Sequence, residues 1–246
     1  MSLLVADGLR KSFDGVEAVA GVSFSLTEGE VLALIGPNGA GKSTCFNLIN
    51  GQLRPDAGTI RLDGRDVTGQ PPRALWAQGV GRTFQIAAAF ASMSVIENVQ
   101  AALAARAGET WRFLRPARRR HAEPARALLA RVGLAGQDDR PAGILAYGDV
   151  KRLELAMALA GEPRLMLMDE PTAGMIPADR HALMRLVREL VRERNLAVLF
   201  TEHDMDVVFA VADRILVMDR GRLIAQGKAD AIRANPHVRA IYLGEE

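Results

Sequence analysis

The residues of this chain with the clearest chemistry form a glycine-rich run, residues 36–44, whose sequence is GPNGAGKST. The run matches the pattern G-x-x-x-x-G-K-[ST], in which backbone N–H groups of a tight loop surround a phosphate. Lys42 would reach the β- and γ-phosphates, and the Ser43 hydroxyl would ligate Mg²⁺. We therefore expect the chain to bind a nucleoside triphosphate. The predicted phosphate-binding residues are Asn38, Gly39, Ala40, Gly41, Lys42, Ser43 and Thr44.

A second candidate element is the acidic pair Asp169 and Glu170, which follows the apolar residues 165–168. A carboxylate at the carboxyl end of a strand in an open α/β sheet lies at the edge where ligands bind. Asp169 is suited to the Mg²⁺ shell, usually through water, because this cation prefers oxygen ligands. Glu170 is then the candidate general base that polarises the attacking water. Alone, the pair could be an acidic turn, but together with the phosphate loop it predicts nucleotide hydrolysis.

The elements that must position these groups are indicated by apolar patterns on either side of them. Residues 31–35 predict a buried strand before the phosphate loop, and residues 43–49 predict a helix that presents its N-terminus to the phosphate. Residues 196–200 predict another strand. Residues 183–191 predict an amphipathic helix after Pro177, with Arg185, Arg188, Arg192 and Glu193 outward. Strands alternating with helices in this way favour an α/β protein.

Other segments predict antiparallel strands and a further helix. Residues 1–30 and 58–68 alternate as short strands, with turns at 14–15, 28–29 and 63–64, and we expect them to pair antiparallel beside the nucleotide. Residues 214–218 and 223–225 predict strands around a turn at 220–221. Residues 125–132 predict a helix that ends at Gly133. The 246 residues contain one cysteine, Cys45, which we expect to be a small buried helix residue, so no disulfide framework is possible.

Another predicted helix begins just after Gly148. Its apolar residues recur at helical spacing from 153 to 160, so one face should be buried. The residues expected on the exposed face are Lys151, Arg152 and Glu154. The N-terminus of this helix is a second anion-binding site without a phosphate loop of its own. A single chain has no use for two such sites, whereas two chains docked head to tail would use both.

In this order, the motifs resemble the ATP-binding subunit of ATP-binding-cassette (ABC) transporters over essentially the whole chain. Residues 145–149, with the sequence LAYGD, stand where that family carries its LSGGQ signature. Gln85 resembles the Q-loop glutamine, His203 the switch histidine, and Phe13 the aromatic residue that stacks on adenine. Residues 173–176 occupy the D-loop position. Two departures are Ala146 in place of the signature serine, and Ile176 where the D-loop usually ends in Asp or Asn.

The resemblance implies an α/β fold with a RecA-like P-loop NTPase core, an antiparallel β subdomain and an inserted α-helical subdomain. We expect a single domain over residues 1–246, with the core and β subdomain in 1–85 and 161–246 and the helical subdomain in 86–160. ATP and Mg²⁺ are the implied cofactors. The implied catalytic residues are Glu170, His203, Gln85 and Lys42; the metal site is Ser43, Gln85 and Asp169; Phe13 and Ala146, Tyr147, Gly148 and Asp149 complete the ATP-binding set.

Within the family, residues 81–85, 147–148 and 240–245 are similar to those of branched-chain amino-acid importers. This branch implies transmembrane permease subunits as partners and a second ATP-binding subunit, identical or paralogous, that joins in the presence of ATP. A periplasmic substrate-binding protein would be an indirect partner. No apolar run is long enough to span a bilayer and no secretory signal is present, so we expect a peripheral subunit on the cytoplasmic face of the inner membrane.

Several alternatives remain open from the sequence. Lipopolysaccharide-export and urea-type ATPases share parts of the same pattern. A soluble cassette ATPase acting on DNA or ribosomes would usually carry coiled-coil arms, zinc-binding cysteines or two cassettes, and a net charge of +2 does not favour nucleic acid as a partner. A P-loop kinase or GTPase would have no use for residues 145–149. The basic residues between 112 and 120 read as a solvated helical face, with anionic lipid as the sharper alternative.

Overall fold

The computed structural model describes residues 2–83, 89–109 and 120–243 of the chain. The strands are β1 (Ser2–Phe13), β2 (Val16–Thr27), β3 (Val31–Ile35), β4 (Ala57–Leu62), β5 (Arg65–Asp66), β6 (Val80–Thr83), β7 (Leu165–Asp169), β8 (Ala197–Thr201), β9 (Arg214–Asp219) and β10 (Arg222–Gly227). The helices are α1 (Lys42–Ile49), α2 (Pro72–Ala77), α3 (Val95–Arg106), α4 (Ala122–Arg131), α5 (Tyr147–Leu159), α6 (Pro177–Arg194), α7 (Met205–Val211), α8 (Ala229–Ala234) and α9 (Pro236–Leu243).

The larger sheet has the strand order β10-β9-β3-β8-β7-β6 within the described residues. Strands β9, β3, β8, β7 and β6 run parallel, and β10 pairs antiparallel with β9 at one edge. The segments that follow β3, β6, β7 and β8 therefore leave the sheet at the same edge. In open α/β sheets this carboxyl edge is where ligands bind, and the phosphate loop, Asp169, Glu170 and His203 follow strands that end there.

Strand β3 shows how the sheet is held in the interior. Its five residues are all buried, and they alternate between two apolar clusters. Val31, Ala33 and Ile35 pack with helices α3 to α7, whereas Leu32 and Leu34 face helix α1 and the second sheet. Because successive side chains of a strand point to opposite faces, a strand covered on both faces reads as a continuous apolar run. The run that predicted β3 reflects this double burial.

The smaller sheet is antiparallel, with the order β2-β1-β4-β5 among the described strands. Strands β1 and β2 have 12 residues each, so they are longer than the short strands predicted from the sequence. Their hairpin turns at Asp14 and Gly15, which have φ values of 47° and 83°. Helix α1 lies between the two sheets and contributes Cys45 and Phe46 to the shared core. Cys45 is fully buried, as predicted, and burial raises the pKa of its thiol to about 12.

Helix α5 contradicts one prediction from the sequence. Lys151 and Glu154 were expected on an exposed face, yet they are 4% and 5% exposed. Lys151 Nζ lies 3.1 Å from the Glu154 carboxylate and 5.6 Å from the centre of the Tyr147 ring. Helices α3 and α4 pack against α5, and the two opposite charges offset each other's loss of water. Helix α5 also begins at Tyr147, so Gly148 lies within its first turn and not before it.

Helix α6 follows the predicted pattern more closely. Leu183, Val187, Leu190 and Val191 are buried, while Arg185, Arg192 and Glu193 are exposed. Arg188 is the exception, because it is half-buried and lies 2.6 Å from Asp213. Among the described helices, none combines the length and apolar character needed to cross a bilayer.

Candidate functional site

The phosphate loop connects β3 to α1, and its glycines are required by close packing. A Cβ atom on Gly36 would lie 2.3 Å from the carbonyl oxygen of Met218 on β9. One on Gly41 would lie 2.2 Å from the carbonyl oxygen of Ala18 on β2, and Gly41 also has a φ of 95°. Any larger residue would displace the loop from both strands. The loop is thus fixed against both sheets, with the first turn of α1 directly after it.

Lys42 opens helix α1 and is buried. Its ammonium group donates hydrogen bonds to the carbonyl oxygens of Gly36, at 2.7 Å, and Pro37, at 3.0 Å. Burial lowers the pKa of Lys42, and the nearby carboxylates of Glu170 and Asp169 partly oppose this shift. A cation is therefore held inside the glycine-rich loop, beside two acidic groups. It is placed to exchange carbonyl oxygens for phosphate oxygens.

The first turn of α1 completes the loop. Ser43 is exposed and Thr44 is half-buried, on the turn that follows Lys42. The leading N–H groups of an α-helix have no acceptors within the helix, and the helix dipole favours an anion at this end. The N–H groups of residues 42–44 therefore point free donors toward the loop, and the binding of a phosphate there stays a prediction.

Asp169 and Glu170 lie at the carboxyl end of β7, opposite Thr201 at the end of β8. The buried Thr201 hydroxyl donates to Asp169 Oδ1 at 2.7 Å and accepts the N–H of Glu170 at 3.0 Å. One side chain thereby fixes the position of both acidic residues. Thr201 belongs to the residues that sequence reasoning missed; its only signal was its place two residues before His203.

Glu170 and His203 meet across the site. Oε1 of Glu170 lies 2.8 Å from Nε2 of His203, although their segments follow different strands. Glu170 has a φ of 45°, a left-handed conformation that is uncommon for a non-glycine residue. Such backbone strain concentrates at functional sites, where surrounding contacts hold it in place. Here the Thr201 hydroxyl holds the Glu170 N–H.

A second buried acid, Glu202, lies beside this pair and was also missed. It is 4% exposed and accepts hydrogen bonds from the N–H and the hydroxyl of Thr172, at 3.0 and 2.5 Å. Its other oxygen accepts the N–H of His203 at 3.1 Å. In the sequence Glu202 is one acidic residue directly before His203, and nothing in that position indicates a buried carboxylate. Its hydrogen-bond partner Thr172 is 30 positions away in the chain, a contact that no local pattern reveals.

Asp204 ends the same segment and caps helix α7. Its carboxylate accepts from Arg180 at 2.8 Å, and Arg180 also donates to the carbonyl oxygen of Met175 at 2.7 Å. Burial by itself would raise the pKa of Asp204, but hydrogen bonds from Arg180 and from the Val207 and Asp206 N–H groups outweigh it and lower the pKa. The segment after β8 is therefore joined to the start of α6.

The signature residues lie at the N-terminus of α5, against the D-loop and α6. Ala146 is the N-cap, its backbone is extended, and no side-chain hydrogen bond caps the helix. A Cβ on Gly174 would lie 3.3 Å from the Tyr147 ring. Three exposed apolar side chains occur in and near the signature and the D-loop: Ile144, Tyr147 and Ile176 are 65%, 43% and 64% exposed. Asp149 lies in the same first turn of α5.

Of two further predicted site residues, Phe13 is described by the structure and Gln85 is not. Phe13 is at the end of β1 and is 44% exposed, with Lys11 Nζ 5.6 Å from the centre of its ring. Gln85 lies outside the described residues, as do Arg112, Arg115, Arg118 and Arg119 of the basic run. Arg120, the last residue of that run, forms an ion pair with Glu109.

A groove of about 370 Å³ lies between the β6 side of the core and the helices α3 and α5. Its wall is mostly apolar and includes Leu75, Trp76 and Met157. Three charged residues, Arg73, Arg82 and Glu154, also line it. Arg82 lies 5.7 Å from the centre of the Phe46 ring, so it contacts the same helix that carries the phosphate loop.

Phe90 lies on a separate exposed surface. The buried Asn98 side chain donates to the Phe90 carbonyl oxygen at 3.2 Å and accepts its N–H at 2.7 Å. The backbone is thus fixed while the ring is 54% exposed. The apolar, mostly short side chains of residues 87–91 predict a docking surface for a short helix, and Ala87 and Ala88 of this run lie outside the described residues.

Comparisons with known proteins show the family of the chain. Residues 19–173 match the family model described as ABC transporter, and residues 222–246 match that of the branched-chain amino acid ATP-binding cassette transporter. The chain is 41% identical over 251 residues to the high-affinity branched-chain amino acid transport ATP-binding protein LivG of Salmonella typhimurium, covering 99% of this chain and 98% of the relative.

Two further similarities cover the whole fold. The chain is 34% identical over 246 residues to the lipopolysaccharide export system ATP-binding protein LptB of Haemophilus influenzae, covering 100% of this chain and 99% of that protein. A crystal structure of the ADP conformation of an ATP-binding cassette of an ABC transporter superposes with a TM-score of 0.88. That protein is 32% identical, and each chain is covered completely. The predicted fold class, with its P-loop NTPase core, is confirmed.

Proposed function

We propose that this chain powers the import of branched-chain amino acids. The chain belongs to the ABC transporter family and is an ATPase of that family. The observation that carries the catalytic part is the hydrogen bond between Glu170 and His203 beside the buried Lys42. A base, a switch group and a phosphate-binding cation lie together at the carboxyl edge of the sheet. Hydrolysis of a nucleoside triphosphate needs these three groups in one place.

The steps follow from the contacts of these side chains. Lys42 neutralises charge on the β- and γ-phosphates after it releases the carbonyl oxygens of Gly36 and Pro37. The Glu170 carboxylate orients a water and accepts its proton as the γ-phosphoryl group transfers. Nε2 of His203, which lies 2.8 Å from Glu170 Oε1 in this structure, would turn its single N–H to the γ-phosphate when the nucleotide binds and so free the Glu170 carboxylate for the water. Loss of the γ-phosphate removes that acceptor, so His203 registers completion of the step.

We infer that Mg²⁺ binds at Ser43 and Asp169, with Gln85 as the remaining predicted ligand. The donor set fits, because hydroxyl and carboxylate oxygens are the ligands that this cation prefers. Within the described residues, no group of three or more metal-ligating side chains occurs, which suits a cation that keeps several waters and phosphate oxygens. When bound, Mg²⁺ would neutralise charge that develops on the phosphates.

We further propose that two copies, or this chain and a paralogue, dimerise head to tail when ATP binds. The first turn of α5 presents residues 146–149 at a helix N-terminus that holds no phosphate loop of its own. The exposed apolar residues Ile144, Tyr147 and Ile176 lie in and near the same region. Placed against the phosphate loop of a second copy, this surface would bury apolar area and give the γ-phosphate a second set of donors. Phe13 is the proposed adenine contact.

The proposed membrane partners are transmembrane permease subunits, with a periplasmic substrate-binding protein as an indirect partner. The groove lined by Trp76, Arg82 and Glu154 has the mostly apolar wall and the side chains of both charges that suit a short amphipathic helix. Phe90, on its separate exposed surface, is the second proposed contact with these subunits. Because these partners span the membrane, the proposed location of the chain is the cytoplasmic face of the inner membrane.

The proposed division of the chain is into a core and β subdomain, residues 1–85 and 161–246, and a helical subdomain, residues 86–160.

Two comparisons support branched-chain amino acids as the cargo: the chain is more similar to LivG than to LptB, and residues 222–246 match the branched-chain amino acid family model. The test is reconstitution of the chain with its permease subunits in vesicles. ATP turnover should rise when a substrate-binding protein loaded with leucine, isoleucine or valine is added. Stimulation by lipopolysaccharide or urea in place of these amino acids would contradict the proposed cargo while leaving the ATPase assignment intact.

A further inference from the structure

We propose that Glu202 is a positioning residue that sets the geometry of the Glu170–His203 pair through Thr172. This inference rests on the proposed roles of Glu170 and His203. The last residues paired between β7 and β8 are Asp169 and Thr201. Beyond that point the two segments that carry the catalytic pair have no strand pairing to hold them together. Side chains must do so.

Glu202 provides this link between the two segments. Oε1 accepts both the N–H and the hydroxyl of Thr172, and Oε2 accepts the N–H of His203. Thr172 is two residues after Glu170, and Glu202 precedes His203. The four residues thus form a closed ring, in which the Glu170–His203 hydrogen bond of 2.8 Å is the remaining side.

The ring explains why this position carries a carboxylate. A carboxylate is an acceptor at both oxygens, and three donors converge on Glu202. A glutamine would have to direct its NH₂ group at either the Thr172 donors or the His203 N–H. Because Glu202 is only 4% exposed, no water could satisfy the two N–H donors that would then face each other. The expected consequence is a rotation of the His203 backbone relative to Glu170.

The prediction concerns turnover and not nucleotide binding. Neither Glu202 nor Thr172 is among the predicted phosphate contacts, so the ATP KM should stay within about twofold of the parent. Glu202→Gln should lower kcat about tenfold, which corresponds to one charge-assisted hydrogen bond. Thr172→Val should lower kcat similarly, whereas Thr172→Ser, which keeps the hydroxyl, should restore it to within about twofold of the parent.

The decisive measurement combines these variants with His203→Ala. If Glu202 acts by placing His203, Glu202→Gln should cost less than about twofold in the His203→Ala background, because the group that it positions is already gone. A full further tenfold loss in that background would overturn the inference. So would a Glu202→Gln protein with parental kcat.

Folding and the active site itself are checked separately. Thermal midpoints and ATP affinity are measured for every variant. If Glu202→Gln does not fold, the Thr172→Val and Thr172→Ser variants decide the question. A lower kcat in both variants, or in neither, would contradict the inference that the ring positions His203. Parental turnover by Glu170→Gln and His203→Ala would overturn the proposed active site and this inference together. Parental turnover by Glu202→Gln alone would overturn only the inference.

Discussion

A methyl group added to Gly148 would lie 3.1 Å from Oδ2 of Asp179, so the first turns of α5 and α6 are in close contact. A side chain added at Gly148 would therefore meet two acidic groups. One is this carboxylate of its own chain, and the other is the γ-phosphate that we propose it meets on a second copy. Substitutions at Gly148 must separate these two effects.

The first prediction concerns dimerisation. Glu170→Gln protein should elute as a dimer with ATP and as a monomer without it, because ATP completes the interface but is not consumed. Adding Gly148→Asp should abolish the dimer by placing a carboxylate against the γ-phosphate. Size-exclusion chromatography with light scattering is the measurement.

Two controls isolate the effect at the interface. Gly148→Ala adds a methyl group without charge and should dimerise at moderately higher ATP concentration. Asp179→Asn combined with Gly148→Asp removes the repulsion inside the chain and should still fail to dimerise. A Gly148→Asp protein that dimerises and hydrolyses ATP normally would eliminate the head-to-tail arrangement.

The second prediction concerns hydrolysis. Glu170→Gln should lower kcat at least about a hundredfold with little change in ATP affinity, since it keeps the shape but removes the base. Lys42→Met should weaken both ATP binding and turnover, because the charge beside the phosphates is lost. Turnover and nucleotide affinity are measured in parallel. The exposed α6 residue Glu189, changed to Gln, is the control. Parental turnover by the Glu170→Gln protein would show that the catalytic assignment is wrong.

The third prediction separates ATP hydrolysis from transport. Phe90→Asp should leave basal ATPase activity in the isolated subunit unchanged, because the Phe90 ring is exposed while Asn98 fixes the backbone. In the assembled complex it should abolish transport by placing a charge at an apolar contact. Transport into vesicles is measured beside ATPase activity, with Phe90→Leu as the apolar control. Undiminished transport by Phe90→Asp would place the docking surface elsewhere.

The fourth prediction is a pH dependence of stability. Since the pKa of Asp204 is lowered in the folded protein, its ionisation stabilises the fold above about pH 3.9, the unfolded value. This contribution is lost as the pH falls through the lower folded value. Asp204→Asn keeps a helix-capping oxygen but no charge beside Arg180. Urea unfolding should show a stability gap between parent and variant that is constant above about pH 5 and closes in acid. A gap independent of pH would contradict it.

The fifth prediction concerns the departure at Ala146. Serine is a preferred N-cap and alanine is not, so Ala146→Ser should stabilise the fold by about 0.5–1 kcal/mol. The same hydroxyl would give the partner's γ-phosphate one more donor and lower the ATP concentration needed for dimerisation. Thermal unfolding and the dimerisation assay test the two effects separately. Ala146→Gly is the control without a hydroxyl.

The local elements of the site could be predicted because their signals are contained in short stretches. The run that forms β3 is continuous because both faces of the strand are covered, and Lys42 follows at fixed spacing. The antiparallel pairing of β1 with β2 was correct because Asp14 and Gly15 mark the turn. Their length was underestimated, since the register shifts that let these strands continue depend on cross-strand contacts.

The remaining features depend on residues far apart in the chain. Lys151 and Glu154 are charged at positions that helical spacing places outside the apolar stripe. Only the packing of other helices shows that they are buried as a pair. The Thr172–Glu202 link joins segments 30 residues apart. Strand order, with β3 between β8 and β9, decides which loops converge, and no single stretch of sequence contains that order.

Helix α5 has a mechanical consequence. Glu154 lines the groove, and Tyr147 lies seven residues earlier in the signature, about 10 Å away along the helix axis. The buried ion pair of Lys151 and Glu154 lies at the groove end of this segment. If the helix moves as a rigid body, a tilt of about 10° at the groove end would displace the other end by about 2 Å. That displacement is enough to make or break a hydrogen bond to a phosphate.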